Sequence, residues 1–390
     1  MKIEVNRMQR EVVIVEAVRS PVGKRKGVLR NYHPVDLAAT VLDQVVQRTG
    51  LSKNLVEDII MGCVTPVREQ AWNIGRLAAL QADFPVETPA VQINRMCGSG
   101  QQAVHFAAQS ILAGDIEIAI AAGVEHMSTI PIWSDGNEQT IPSSLKQKYE
   151  FIHQGLSAER VAQKYGLTRE ELDRYAFESH QFALIAQREQ RFAREIIPMV
   201  GLDKEGNSLL ITQDEGPRAD TSLEVLANLP PVFQQDGLIT AGNASQISDG
   251  AAAVLLMERR TADALDIRPR AKILARVVVG SDPTIMLDGI IPATQKVLAK
   301  TGLTLDEIDL FEVNEAFASV VLAWQKVFGV DRGKINVNGG AIALGHPLGA
   351  TGVKLLATLL HELERQQKQL GLLTICIGHG MATAMVIERC

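Results

Sequence analysis

Twice in this chain a β-branched run leads into a glycine-rich turn and then into a helical stretch. The first unit is Val91-Gln-Ile93, then Asn94-Arg-Met-Cys-Gly-Ser-Gly100, then a helix over Ser99–Ala113. Val104, Ala107, Ala108 and Ile111 recur there at helical spacing, and Gly114 supplies the stop. The second unit is Ile335-Asn-Val-Asn338, a turn carrying Gly345-His-Pro347, and a helix over 352–364. A repeated strand, turn and helix can bury its apolar faces only by layering helices on a sheet, so the chain reads as α/β in two similar βα-rich halves packed together. Residue identity between the halves is weak.

Other segments fit this plan. Runs 12–15, 59–61, 91–93 and 116–122 read as buried strands, the first cut by Glu16. Helices are expected over 35–49 and 73–82. In the second half, 271–279, 310–313, 335–338, 372–377 and 381–387 read as strands, with helices over 292–301 and 315–327. The stretch 128–247 differs. It is polar, marked by Pro131 and Pro142, with amphipathic helices over 157–165 and 169–189. Thr168 and Glu171 have the spacing of a capping box. The expected division is therefore 1–127 plus 248–270 as the N-terminal half, 128–247 as an inserted loop domain, and 271–390 as the C-terminal half.

Composition narrows the function. The chain has 390 residues, 46% of them apolar, enough for two or three packed units. Its net charge is −6 and it has no basic run, which argues against a nucleic-acid partner. The four cysteines, Cys63, Cys97, Cys376 and Cys390, form no CxxC pair. Neither a disulfide framework nor a metal site is expected from them. Residues 1–7 are charged and lack the apolar core of a secretion signal, and apolar runs elsewhere are too short to span a bilayer. The C-terminal Ile-Glu-Arg-Cys390 matches no lipidation or peroxisomal signal. A cytoplasmic protein without a membrane partner is the expectation.

The chemistry-bearing residues sit on the turns. Cys97 precedes a helix N-terminus, whose dipole favours thiolate, and Gly98 and Gly100 leave room for a thioester to approach. Cys376 ends an apolar strand and enters Gly378-His-Gly380; beside Cys97 it is a thiol able to give or take a proton. His346, between Gly345 and Pro347, is poorly placed for mere packing and well placed as a base. Asn314 follows a strand and precedes a helix. It either caps that helix or holds a water or carbonyl oxygen. Together these residues suit making or breaking a carbon–carbon bond beside a thioester. No Walker motif, GxGxxG fingerprint or HExxH occurs.

With these residues in place, the sequence resembles the thiolase family. The resemblance runs from Ile14-Val-Glu-Ala-Val-Arg-Ser-Pro-Val-Gly23 to Cys376. It is carried by Asn94 to Gly100, Ala122-Gly-Val-Glu-His-Met127, Gly242-Asn-Ala-Ser-Gln-Ile-Ser-Asp-Gly250, Asn314-Glu-Ala-Phe317 and Asn338-Gly-Gly-Ala-Ile-Ala-Leu-Gly-His-Pro-Leu-Gly-Ala-Thr-Gly352. It implies a thiolase-like fold with an inserted loop domain, and an acyltransferase that cleaves 3-ketoacyl-CoA with CoA or runs the reverse condensation. It implies Cys97 as the acylated nucleophile, activated by His346. His346 and a water on Asn314 would form one oxyanion site, and the N–H groups of Cys97 and Gly378 the other. Cys376 would move the proton at the acetyl α-carbon. Coenzyme A is then a substrate, with no permanently bound cofactor. Ser245 would touch its pantetheine arm. Arg218 would lie beside its adenine, or is an exposed surface charge.

Three positions depart from the family pattern. His379 stands where the family usually has glycine, and is expected to point away from the second oxyanion site because Gly378 is retained. Gln154, in His153-Gln-Gly155, falls where acetoacetyl-CoA thiolases often carry methionine, making His153, Gln154 and His379 candidates for the acyl pocket. The stretch 128–152 is shorter than the loop that bridges tetramers in biosynthetic thiolases, so a homodimer and a homotetramer both remain open. A β-oxidation partner enzyme is also compatible with the resemblance. Two competing readings are a ketoacyl-synthase-like condensing enzyme and a non-catalytic CoA-binding subunit. The second cysteine, Cys376, counts against the first, and joint retention of Cys97, Asn314, His346 and Cys376 against the second.

Overall fold

The computed structural model of the chain describes residues 10–136 and 138–390. The charged stretch 1–7 therefore lies outside the described residues. One mixed sheet runs through the molecule, and its strand order repeats. From Val12–Arg19 outward come Ser248–Glu258, Ile118–His126, Asp58–Gly62 and Ala90–Ile93. In the other direction, Ala271–Gly280 is followed by Met381–Arg389, Leu370–Ile377 and Leu310–Val313. Each half thus places its opening strand beside its closing strand. The halves meet through Val13 opposite Lys272 and Ile14 opposite Ala271.

Alternation along the strands sorts side chains into layers. Val12 and Ile14 face a central apolar cluster, while Val13 and Val15 face an outer one. Likewise Leu373, Ile375 and Ile377 point to the centre, and Leu372 and Cys376 to the outer layer of the second half. The central layer holds two helices, Ser99–Ala113 and Thr351–Gln366. Helices Pro34–Gln47 and Ile74–Gln81 cover the first half outside, and Ile290–Thr301 and Ala318–Phe328 cover the second.

The chain leaves the sheet after His126 and returns at Ser248. Between them lie helices Gln154–Lys164 and Arg169–Arg188 and the hairpin Met199–Leu202 with Ser208–Ile211. The Thr168–Glu171 capping box is present in both directions. Ala158, Val161, Leu172 and Tyr175 of these helices join the outer cluster of the second half with Phe317, Val320 and Val321. These two helices therefore rest on the C-terminal half, while Met199 and Ile211 of the hairpin join the outer cluster of the N-terminal half.

Three local expectations need correction. Glu16 does not end the first strand. A register shift between Ile14 and Glu16 turns its carboxylate to the Arg270 guanidinium, and pairing continues to Arg19. The run 335–338 is not a strand. Ile335 makes one parallel bridge to Phe311, and Asn336 then takes φ +46°, where its side chain bonds the backbone of Val313 at both its oxygen and its nitrogen. A side-chain amide has replaced the ladder. The helix expected over 315–327 starts at Ala318 with Phe317 as N-cap, so Asn314 caps nothing. Among the described residues no helix is long and apolar enough to cross a membrane, and no group of three metal-ligating side chains occurs.

The two central helices touch at their N-termini. A β-carbon on Gly352 would lie 2.0 Å from the Gln101 backbone nitrogen, and one on Gly100 2.7 Å from the Gly349 carbonyl oxygen. Both obstacles are backbone, so no side chain can swing aside. Gly352→Ala should therefore cost at least the about 1–3 kcal/mol typical of overpacking. A lower urea midpoint at unchanged slope is the expected result, and an unchanged midpoint would show that the contact has slack.

Candidate active site

The Cys97 loop is built by its own polar groups. Asn94 Oδ1 accepts from the Met96 N–H at 2.7 Å, and Asn94 Nδ2 donates to the Val64 carbonyl at 2.8 Å. Ser99 Oγ accepts from the Arg95 N–H at 2.8 Å and donates to the Met96 carbonyl at 2.6 Å. These bonds hold Met96 at φ +46°, a conformation a bulky L-residue adopts only when its surroundings impose it. Cys97 is buried. Burial pushes its thiol up to about 11, against the opposing pull of the Cys97 and Gly378 N–H groups and the Gln154 amide. The expected helix-stabilised thiolate is thus corrected. The Gly98 and Ser99 N–H groups are spent on the Arg95 and Met96 carbonyls, so the helix end has little left for sulfur.

His346 is buried, and burial, then the Lys354 charge, bring it down to about 3. The imidazole is neutral at ordinary pH. Its tautomer follows from the network. Asn314 Nδ2 donates toward Nε2 at 3.4 Å, and Nδ1 lies 2.6 Å from Thr351 Oγ, which itself donates to the Pro347 carbonyl at 2.9 Å. Nδ1 therefore carries the hydrogen, and Nε2 offers its lone pair. Thr351 was not singled out in the sequence; a hydroxyl five residues past His346 at a helix start was the available clue.

Asn314 bridges to the second thiol. It is buried, and its amide favours the Cys376 thiolate, while burial and then nearby Cys97 push that thiol up. Asn314 Oδ1 is buried with no partner among the described residues. Cys97, Cys376, Asn314 and His346 thus form one contiguous chain of groups. Its anchor, also missed in the sequence, is the buried Glu315 carboxylate. It accepts from Tyr175 Oη at 2.8 Å, Ser179 Oγ at 2.7 Å, Asn336 Nδ2 at 3.0 Å and the Ile342 N–H at 3.1 Å.

A cavity of about 600 Å³ opens beside Cys97. His153, Gln154 and His379 all line it, with Met96, Trp133 and Phe151. His379 takes φ +59°, so this position carries the left-handed backbone that favours glycine, with a β-carbon added. Its ring meets Phe151 edge-on at 5.6 Å. His153 caps its helix, accepting from the Gly155 N–H at 3.0 Å, and stacks on Phe233 at 5.0 Å. Ser245 and Arg218 do not line this cavity. Ser245 donates its N–H to the Ala316 carbonyl at 3.0 Å, two residues from Asn314. Arg218 is exposed, its N–H on His180 Nδ1 at 3.1 Å.

Two family models cover this architecture. That for "Thiolase, N-terminal domain" matches residues 12–260, and that for "Thiolase, C-terminal domain" matches residues 267–389. The chain belongs to the thiolase family. It is 43% identical over 390 residues to a 3-ketoacyl-CoA thiolase of Bacillus subtilis (strain 168), across 98% of this chain and 100% of that protein. It is 44% identical over 391 residues to an acetyl-CoA acetyltransferase of Chromobacterium violaceum, across 97% and 100%. The crystal structure of the Bacillus anthracis acetyl-CoA acetyltransferase superimposes with a TM-score of 0.90 at 39% identity, across 98% and 99%. The chain is a thiolase-type enzyme, acting in CoA-dependent thiolytic cleavage or its reverse condensation.

The raised Cys97 thiol has a measurable consequence. A pKa above its ordinary value means that thiolate appears only at higher pH. Peptide-resolved alkylation should therefore show Cys97 reacting faster with each step in pH past 9, without a plateau near the ordinary cysteine value of about 8.5. Exposed Cys390 serves as the internal comparison. A plateau below pH 8 at Cys97 would mean that the loop stabilises thiolate after all.

Proposed function

We propose that this enzyme works through an acyl group carried on Cys97. The observation that carries the reading is the chain of buried groups from Cys97 through Cys376 and Asn314 to a neutral His346. In the cleavage direction, His346 Nε2 takes the Cys97 proton and sulfur attacks the 3-keto carbon. Negative charge moves onto that oxygen, where the Cys97 and Gly378 N–H groups donate. The bond between carbons 2 and 3 breaks, and its electron pair forms the acetyl-CoA enolate. Protonated His346 and a water on Asn314 Oδ1 stabilise the enolate oxygen, and the Cys376 thiol delivers a proton to carbon 2. Preorganised donors at such oxygens are worth about 3–4 kcal/mol each in related chemistry. The Cys376 thiolate then takes the proton of an incoming CoA thiol, whose sulfur attacks the Cys97 thioester; the Cys97 sulfur leaves, recovers its proton from His346, and the shortened acyl-CoA is released.

Ser245 is proposed to touch the pantetheine arm, since its loop lies beside residues 316–317. Arg218 is proposed to stack on the adenine, which its exposed guanidinium permits. The cavity volume supports an acyl group longer than acetyl. A 3-ketoacyl-CoA arises by oxidation of a 3-hydroxyacyl-CoA, so a dehydrogenase is the partner enzyme this reading implies. Cys97 and Cys376 must stay reduced, which fits a cytoplasmic setting. A homo-oligomer is supported by the terminal strand Ala90–Ile93, which has no strand on its outer side among the described residues and whose Val91 is exposed, with exposed Leu77, Leu80 and Phe106 on adjoining helices. A monomer at micromolar concentration in sedimentation would remove that element.

Incubation with acyl-CoA should leave an acyl mass on the Cys97 peptide. In Cys376→Ser that mass should persist, while α-proton exchange of acetyl-CoA falls by roughly 10²–10⁴-fold, the usual share of a general acid–base group. An acyl mass on Cys376 alone, or undiminished exchange in the variant, would reverse the two roles.

A further inference from the structure

Two of the residues that depart from the family pattern adjoin Gly378 and line the same cavity. A β-carbon on Gly378 would lie 2.9 Å from Gln154 Nε2, so the Gln154 amide sits over the residue whose N–H serves Cys97. That amide also favours the Cys97 thiolate, which places it within reach of the sulfur. His379, next in the chain, lines the same cavity. Its Nδ1 is buried with no partner among the described residues. It keeps this place despite a left-handed backbone, a cost that persists only where the surroundings or a function demand it.

Acylation of Cys97 changes what these groups meet. A thioester sulfur is a poor hydrogen-bond acceptor, so the Gln154 amide loses its partner once the acyl group is in place. An alkyl chain would then leave the amide unpaired, as His379 Nδ1 already is. An acyl chain with its own oxygen would pair the amide and, with a turn of the His379 ring toward the cavity, Nδ1 as well. A site that buries hydrogen-bonding groups discriminates against ligands lacking the complement far more sharply than an apolar pocket does. Charge sets a further limit. Asp135 lines the cavity, and among the described lining residues there is no Lys or Arg, so an anionic tail finds repulsion and no counter-ion.

We propose that Gln154 and His379 form a hydrogen-bonding pair that selects 3-ketoacyl-CoA substrates whose retained acyl portion bears an uncharged oxygen, such as a hydroxyl. The proposal rests on acylation of Cys97. The pair acts on specificity, leaving the proton transfers to His346 and Cys376.

The test compares three substrates in the cleavage direction with the full-length enzyme. 3-Oxohexanoyl-CoA leaves butyryl on Cys97, 5-hydroxy-3-oxohexanoyl-CoA leaves 3-hydroxybutyryl, and 3-oxoadipyl-CoA leaves succinyl. The expected kcat/KM for the hydroxylated substrate exceeds that for the alkyl one by at least about tenfold, or about 1.4 kcal/mol in barrier. The succinyl-forming substrate should be no better than the alkyl one. Gln154→Met and His379→Gly should each pull the hydroxyl-to-alkyl ratio toward one. A ratio near one in the unmodified enzyme overturns the proposal without any variant, as does a preference for 3-oxoadipyl-CoA. A ratio that survives both substitutions also overturns it. The mass on the Cys97 peptide separates the two levels: butyryl found there with no hydroxyl preference defeats the selectivity alone, and no acyl group from any substrate defeats the underlying reaction path.

Discussion

The contact between two helix N-termini, at Gly100 and Gly352, governs the site. Each helix is entered from a turn that carries chemistry, Cys97 just before one and His346 just before the other. Because the β-carbon positions are filled by the other helix's backbone, the two turns are pressed to a fixed separation. The buried Glu125 carboxylate reinforces this. It accepts from the Val64 N–H at 2.9 Å, the Thr65 N–H at 3.1 Å, the Gly349 N–H at 2.9 Å and Gln70 Nε2 at 2.8 Å. One carboxylate thereby ties the His346 turn to the wall beside Cys97. Such a group is costly to bury unless its lone pairs are filled, and here N–H donors fill them. Glu315 does the same for Asn314, joining it to the insertion and to the helix ahead of His346.

Burial also sets the charge state. The same packing that fixes the geometry removes water, and water removal disfavours every charged form. Both thiols move up and the imidazole moves down, so the resting site is neutral throughout. A neutral thiol beside a neutral imidazole is inert until a substrate carbonyl offers somewhere for the charge to go. In the proposed path the Cys97 and Gly378 N–H groups and a water on Asn314 Oδ1 take up that charge. Charge separation is therefore coupled to bond formation at carbon.

Much of this was legible in sequence because turns advertise themselves. Glycine, proline and asparagine cluster where the chain must bend, and the chemistry sits on the bends, so Cys97, Asn314, His346 and Cys376 stood out. The Thr168–Glu171 box was readable because capping is a local affair. What escaped was non-local. Whether Glu16 ends a strand depends on Arg270, over two hundred residues away. Whether 335–338 becomes a strand depends on the bonds Asn336 makes with Val313. The helix expected over 157–165 begins at Gln154, because His153 supplies an imidazole cap that residue type alone does not announce. The thiolate expected at Cys97 failed for a related reason. Position before a helix is visible in sequence, but desolvation is a property of the finished core.

In the proposed path, chemistry falls to the two halves and selection to the insertion. Cys97 hangs from the N-terminal half, and Asn314, His346 and Cys376 from the C-terminal half. Cys376 lies on the strand Leu370–Ile377, and the other three sit on loops next to central strands or helices, where packing leaves little freedom. The far wall of the cavity comes from the insertion: Trp133, Phe151, His153 and Gln154. This segment rests on the C-terminal half through Tyr175, whose hydroxyl reaches Glu315. Its helix Arg169–Arg188 is thereby tied, through Tyr175 and Ser179, to the carboxylate that anchors Asn314. Glutamine at 154 lines the cavity and at the same time offers its amide to the Cys97 sulfur. His379 is the exception, a side chain added on the catalytic loop itself. The backbone there is left-handed, a conformation that favours glycine, so the loop carries the ring at a cost of about 1–2 kcal/mol.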